Sequence, residues 1–355
     1  MAHKMLEQML VDRGCDAILV MDIKDIRYLC GFSADNAVML YMHEGMVLIT
    51  APKFEPEAKM NAKNVRLVLN EKELTLWDLP ELYKELKIKR MGFSASEVTV
   101  ALYNKIKNIV EMVPLDIIPT AYRRIKTKEE INLIRKSVSI TEKAYKEALP
   151  KLFDGVTEKE FAAEISYRMK LNGADLIWPS SEFTVVAFAE NSAVVGVQTG
   201  DKKIIGDGSL IVDFGTSYKG YCCDETVTLL FGKVDERILD IYDAVYTAQK
   251  MAIEAVKPGL TAAELYNKAY GYLKDKGYGK YIQHTLGHHI GLSVHEYPKI
   301  TSFADLIFEE GMVFTVEPGL YIPGVGGVRL EDTVTVTSKG VEVLTSLSKE
   351  KKILN

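Results

Sequence analysis

Short apolar runs at 17–21, 37–41, 46–49 and 65–69 are interleaved with stretches of helical spacing, such as 72–86, over the first third of the chain. That alternation predicts an α/β domain. Further on, the period lengthens. Ile131, Ile134 and Val138 recur at helical spacing. Thr127, with Glu130 three residues later, forms a capping box that opens a long helix. The basic stretch Arg123–Arg124–Ile125–Lys126 stands just before it. The expected division is an α/β domain over 1–122 and an α+β domain over 123–355.

The second domain repeats itself. The helix opened by Thr127 runs into Asp154–Gly155–Val156–Thr157, where Glu160 completes another capping box. A later helix, about 235–255, runs into Pro258–Gly259–Leu260–Thr261, where Glu264 does the same. Thr157 and Thr261 lie 104 positions apart, and so do Asp213 and Glu317, each at the end of an apolar strand. Helix, helix and hairpin therefore occur twice, which predicts a pseudo-twofold domain with its site on the axis.

Composition removes several classes of function. At 355 residues the chain is long enough for two domains. A formal net charge of −5, with no long basic run, argues against nucleic acid as a partner. Four cysteines make no disulfide framework, and reduced thiols point to a cytoplasmic protein. The first twenty residues mix charge with apolar positions, so neither a signal peptide nor a membrane span is expected there or elsewhere.

Within the repeat, polar residues stand where strands are otherwise apolar. Asp213 ends the run Leu210–Ile211–Val212, and an unpaired carboxylate there would be costly. In the next strand, Asp224, Thr226 and Thr228 share one face while Glu225 and Val227 point away. In the second half, four of six histidines fall within 284–295, and glycines at 287 and 291 bracket His288. Glu317 precedes Pro318–Gly319. Along 327–336, parity places Arg329, Glu331, Thr333 and Thr335 together and so selects Glu331 over Asp332. The candidate metal cage is thus Asp213, Asp224, His288, Glu317 and Glu331. Hard oxygen donors with one nitrogen suit Mn²⁺ first, with Co²⁺, Zn²⁺ or Fe²⁺ as alternatives. Four carboxylates match two divalent ions, and such a pair activates water and polarises a scissile carbonyl.

Asp213–Phe214–Gly215, Asp224–Glu225–Thr226, Gly287–His288–His289–Ile290–Gly291–Leu292, Val294–His295–Glu296, Glu317–Pro318–Gly319 and Arg329–Leu330–Glu331–Asp332 together resemble the pita-bread metallopeptidases. The branch they resemble is that of Xaa-Pro aminopeptidases and Xaa-Pro dipeptidases (prolidases). Tyr28–Leu29–Cys30–Gly31–Phe32 is similar to the creatinase-type N-terminal domain of that branch. The resemblance implies hydrolysis of an Xaa-Pro bond in a small peptide by a bridging hydroxide, and a homodimer. It implies that Asp213 holds one ion, that Asp224 and Glu331 bridge both, and that His288 and Glu317 complete the second ion's shell. Glu317 would also handle the proton of the attacking water. His295 would stabilise the substrate carbonyl, His284 would help position substrate near the entrance, and Arg329 would support the site electrostatically.

Two departures from the family pattern stand out. His289 replaces a usual glycine, which is expected to narrow the site. Gly196 stands where the branch has a substrate-binding histidine, which leaves the substrate open. An alternative reading is therefore a dinuclear hydrolase or lyase acting on another small amide or a non-peptide compound. A non-catalytic binding protein of the same fold is a third, opposed by retention of all five ligands. Trp178 and Tyr281 are candidate walls for a proline pocket, although a core position is the simpler reading of each.

Overall fold

The computed structural model describes residues 2–71, 79–115, 121–175 and 184–354. The chain divides into two compact units, Met1–Arg123 and Arg124–Asn355.

In the first unit the four apolar runs become strands β1 (Ala17–Val20), β2 (Ala37–Met42), β3 (Gly45–Thr50) and β4 (Val65–Leu69), joined by β5 (Arg90–Ser94) and β6 (Glu111–Leu115). They form one sheet of order β4-β3-β2-β1-β5-β6. Its central strands read as unbroken apolar runs because both faces are covered. Ile18, Val20, Met39 and Leu48 pack with Leu6 and Leu10 of the first helix. Ala17, Leu19, Val38 and Val47 turn the other way, toward Leu82, Leu102 and Ile106. Of the helical stretch expected over 72–86, Pro80–Glu85 is helix and 72–78 lie outside the described residues.

The second unit carries β7 (Thr184–Phe188), β8 (Gly208–Phe214), β9 (Ser217–Tyr218), β10 (Tyr221–Cys222), β11 (Glu225–Phe231), β12 (Gly287–His289), β13 (Glu296–Ile300), β14 (Val313–Val316), β15 (Gly319–Ile322), β16 (Gly326–Arg329), β17 (Asp332–Thr337), β18 (Gly340–Val343) and β19 (Ile353–Leu354). One half is the sheet β19-β11-β8-β7 and the other the sheet β13-β12-β14-β17-β18. All three capping boxes form, on Thr127, Thr157 and Thr261.

The repeat extends to individual hydrogen bonds. Glu158 N donates to Lys202 O at 2.9 Å, and Ala262 N, 104 positions on, donates to Leu306 O at 2.8 Å. Ile204 N to Val156 O recurs as Phe308 N to Leu260 O. Phe161, Ile165 and Val212 in the core of the first half recur as Leu265, Ala269 and Val316 in that of the second. The halves differ in one helix. Glu158–Leu171 is continuous, whereas its counterpart is broken into Ala262–Tyr266, a π-helical segment Asn267–Gly271, and Tyr272–Asp275. The run 327–336 also splits, because β16 pairs with β15 while β17 pairs with β14.

Candidate metal centre

Strand ends bring the acids together. Asp213 pairs in register with Thr226 across β8 and β11, and Asp224 immediately precedes β11. Glu317 follows β14, and Glu331 precedes β17. His288 lies in β12, where its N–H donates to Thr315 Oγ1 at 3.1 Å. This close approach depends on the glycine before it, since a Cβ on Gly287 would stand 2.0 Å from the Thr315 carbonyl oxygen.

Asp224, His288 and Glu331 each present a ligand atom within 4.8 Å of the other two, and all three residues are buried. His288 Nε2 lies 3.5 Å from Asp224 Oδ2 and 3.4 Å from Glu317 Oε1. Its Nδ1 lies 3.1 Å from the His289 carbonyl oxygen. A carbonyl only accepts, so Nδ1 carries the proton and Nε2 turns a lone pair toward two carboxylates. This orientation, with Nδ1 occupied by a backbone carbonyl and Nε2 turned toward the acids, is the one a metal ligand needs.

The carboxylates carry the same signature. Thr226 Oγ1 donates to Glu331 Oε2 at 2.7 Å, which fixes that group and leaves Oε1 to face the cage. Among the described residues, Asp224 Oδ1 and Glu331 Oε1 are buried without a hydrogen-bond partner. Burial, reinforced by the neighbouring acids, raises both carboxyl groups well above the usual carboxylate range. Orphaned oxygens, an inward imidazole lone pair and crowded acids fit a divalent-metal site.

A test follows from the sign of these shifts. In metal-free protein the folded state retains protons that the unfolded chain releases above about pH 4, so these groups lose stability as pH rises from there through their raised folded values. Metal binding requires the deprotonated forms. Saturating Mn²⁺, at about a hundred times its Kd, should add about 2.7 kcal/mol and raise Tm by about 5–10 °C. In differential scanning calorimetry the increment should be larger at pH 8 than at pH 5.5. An equal increment at both would count against the carboxylate cage.

Arg329 organises the remaining polar groups. Nη2 donates to Asp213 Oδ2 at 2.5 Å, Nε to Thr226 Oγ1 at 3.2 Å, and Nη1 to the Tyr321 hydroxyl at 3.0 Å. His284 Nδ1 donates to the Thr285 carbonyl at 2.7 Å, and its Nε2 accepts from the Tyr321 hydroxyl at 2.9 Å. Both nitrogens of His284 are therefore engaged within the protein, and Nδ1 stands 3.8 Å from Glu317 Oε2. His295 keeps part of its surface open to solvent, but its ring lies 4.3 Å from that of His288, and partial desolvation on that side, with the charge of a protonated His288 opposing its own, pushes its pKa down to about 4. It is a neutral donor at physiological pH.

A cavity of ≈ 270 Å³ opens above the cage, bounded by Asp213, His284, His288, His295, Glu317 and Arg329. Its other wall is apolar, with Val185, Val194, Val197 and Ile211. Gly196 belongs to this wall at φ +75°, and nothing lies within 4 Å of where its Cβ would be. His289 does not narrow the cavity. It is fully buried, with Nδ1 donating to Pro298 O at 2.8 Å and the ring beside Phe314. Period two turns it to the opposite face from His288. Trp178 lies outside the described residues, and Tyr281 is half-buried against the core of the second half.

Tyr321 and Thr315, which orient these side chains, belong to no motif in the sequence. Thr315 Oγ1, besides accepting from His288 N, lies 3.2 Å from Glu317 Oε1. Tyr321 shares the parity of Gly319 in a short strand, the one signal that could have pointed to it.

Residues 132–338 match metallopeptidase family M24, and residues 3–125 match the creatinase/prolidase N-terminal domain. An Xaa-Pro dipeptidase of Pyrococcus horikoshii is 34% identical over 339 residues, covering 94% of each chain. That of Pyrococcus furiosus is 34% identical, covering 96% of each. Among solved structures, an Xaa-Pro dipeptidase from Bacillus anthracis aligns with TM-score 0.92 at 33% identity, over 99% of both chains. An X-Pro aminopeptidase from Thermotoga maritima aligns with TM-score 0.85 at 30% identity, over 98% of this chain and 100% of that one.

Proposed function

The chain belongs to metallopeptidase family M24, with a creatinase/prolidase N-terminal domain and a pita-bread catalytic domain, and from that premise we propose that it hydrolyses the Xaa-Pro bond of dipeptides or of short peptide N-termini. The observation that carries the proposal is the convergence of His288 with Asp224 and Glu331, each of which has an orphaned carboxylate oxygen, while His288 itself lines the cavity. Named Xaa-Pro dipeptidases among the relatives support the substrate class.

In this reading Asp213, Asp224, His288, Glu317 and Glu331 would hold the divalent ions, Asp224 and Glu331 as the shared ligands. Mn²⁺ is the ion the oxygen-rich donor set favours. When bound, the ions supply Lewis acidity that lowers the pKa of water and polarises the scissile carbonyl. Glu317, at the cavity edge, takes up the proton of the attacking water and returns it to the leaving amine. His295, neutral and exposed beside His288, donates to the carbonyl oxygen as it gains charge. His284 acts through Tyr321 and Glu317, and Arg329 holds Asp213 and, through Thr226, Glu331. The same proposal takes the enzyme as a cytoplasmic homodimer; four buried free cysteines agree with a reducing compartment.

Gly196 favours one second reading. The open space beside it suits a hydrolase or lyase of another small amide or non-peptide substrate. Offering the Mn²⁺-loaded protein Ala-Pro, Leu-Pro and an Xaa-Pro-Xaa tripeptide separates the cases by product analysis. Cleavage of the dipeptides alone is expected of a prolidase, and cleavage of the tripeptide of an aminopeptidase. Full metal loading with none cleaved would transfer the assignment to the second reading.

A further inference from the structure

Behind the cage lies a second layer of charge that the proposed chemistry does not use. Glu225 follows Asp224, and Asp332 follows Glu331, so period two turns both away from the metal site. Both are buried, at 1% and 7% exposure. One ammonium meets them: Lys349 Nζ donates to Glu225 Oε1, and lies 3.2 Å from Asp332 Oδ1. Lys349 is itself 7% exposed. Glu225 belongs to β11 in the first half of the domain and Asp332 to β17 in the second.

Lys349 reaches this position on a strap, 344–354, fastened at several points. Leu344 N donates to Thr333 O at 2.9 Å, and Ser346 N donates to Glu142 Oε1 at 2.5 Å. The Tyr242 hydroxyl lies 3.2 Å from the Lys349 carbonyl, and β19 closes the strap against β11. The strap therefore leaves β18 bonded to β17 and ends on β11, and β17 and β11 are the two strands whose preceding residues are the shared ligands. Glu331 N donates to Thr226 O at 3.1 Å, and Thr333 Oγ1 donates to Asp224 O at 2.7 Å. With those bonds on one side and Lys349 on the other, the two strand ends are gripped from both faces.

We propose that Lys349 is a positioning residue for the metal centre: by clamping Glu225 and Asp332 from the rear, it fixes the separation of Asp224 and Glu331 and so sets metal affinity. The inference rests on the reading of those two acids as shared ligands. Asp332 keeps Thr345 Oγ1 at 2.7 Å and Gln249 Nε2 at 3.0 Å without Lys349. Glu225 has no comparable set, and its Oε2 is without a hydrogen-bond partner among the described residues. Lys349→Met therefore leaves one carboxylate buried and unpaired, which endangers folding as well. The double variant Glu225→Gln/Lys349→Met removes that charge while still removing the clamp.

The test is titration of wild type, Lys349→Met, Lys349→Arg and the double variant with Mn²⁺, together with the visible spectrum of each Co²⁺ form. Folding is checked by circular dichroism. Affinity should fall about 10–100-fold in Lys349→Met and in the folded double variant. Their Co²⁺ bands should shift, and Lys349→Arg should recover part of the loss. Wild-type affinity and spectrum in the folded double variant would overturn the proposal. A check independent of any variant comes from reciprocity, since a strap that tunes metal affinity must itself be stabilised by metal. Amide hydrogen exchange over 344–354 of the wild type should slow on Mn²⁺ loading, and unchanged exchange would overturn the proposal equally. If the wild type takes up no metal at all, the cage assignment falls first, which distinguishes that failure from failure of the clamp alone.

Discussion

Glu331→Gln is expected to lose bound metal and hydrolysis together, with kcat/KM reduced roughly a thousandfold or more, which is about 4 kcal/mol of transition-state stabilisation. The amide keeps the shape and can still accept from Thr226 Oγ1, now 2.7 Å from Oε2. It removes the negative charge of an oxygen that has no other partner among the described residues. Asp224→Asn acts in the same way. The metal-free variant should nevertheless melt at or above the temperature of the metal-free wild type, because one crowded carboxyl has been neutralised. Loss of metal without loss of stability separates ligand removal from misfolding. Metal content and kcat/KM near wild type in Glu331→Gln would refute the bridging role.

Gly287→Ala is expected to damage the fold and the site at once. The added Cβ would meet the Thr315 carbonyl oxygen at 2.0 Å and its carbon at 2.8 Å, and both are backbone atoms that cannot turn aside. Separating β12 from β14 by enough to admit a methyl costs about 3 kcal/mol, or about 6–12 °C in Tm for a domain of this size. The same movement displaces His288, whose N–H is tied to Thr315 Oγ1. Weaker Mn²⁺ binding should therefore accompany the fall in Tm. Calorimetry and metal titration test both, and an unchanged Tm would show that the strands have room the structure denies them.

Most of the candidate cage is legible in the chain because strand parity and the 104-residue offset are local or strictly periodic. Parity alone separated Glu331 from Asp332, and the structure places them on opposite faces, one against Thr226 and the other against Lys349. The same rule, applied to His289, would have turned it away from the site. Lys349 was illegible for a different reason. Lys349–Glu350–Lys351–Lys352 has the composition of a solvated tail, and only the folded strap reveals one buried head among them. Tyr321 belongs to the same class, since its hydroxyl matters through Arg329 and His284, and both contacts are tertiary. The π-helical segment at Asn267–Gly271 has no sequence signal that periodicity can detect.

The duplicated architecture of the second unit has a chemical consequence of its own. The first half contributes Asp213 and Asp224 to the candidate cage and the second contributes Glu317 and Glu331, and at the equivalent pair, Asp213 and Glu317, the second half is a methylene longer. By strand register the answer to His288 is Ala187, because Phe188 faces Leu210 as His289 faces Phe314. An assembly of two identical half-length chains would present two imidazoles or none, and arms of equal reach. Joining the copies in one polypeptide releases each from that constraint. It lets the two sides of the candidate site differ, with an imidazole at His288 on one side and, at Ala187 on the other, a small apolar side chain lining the cavity.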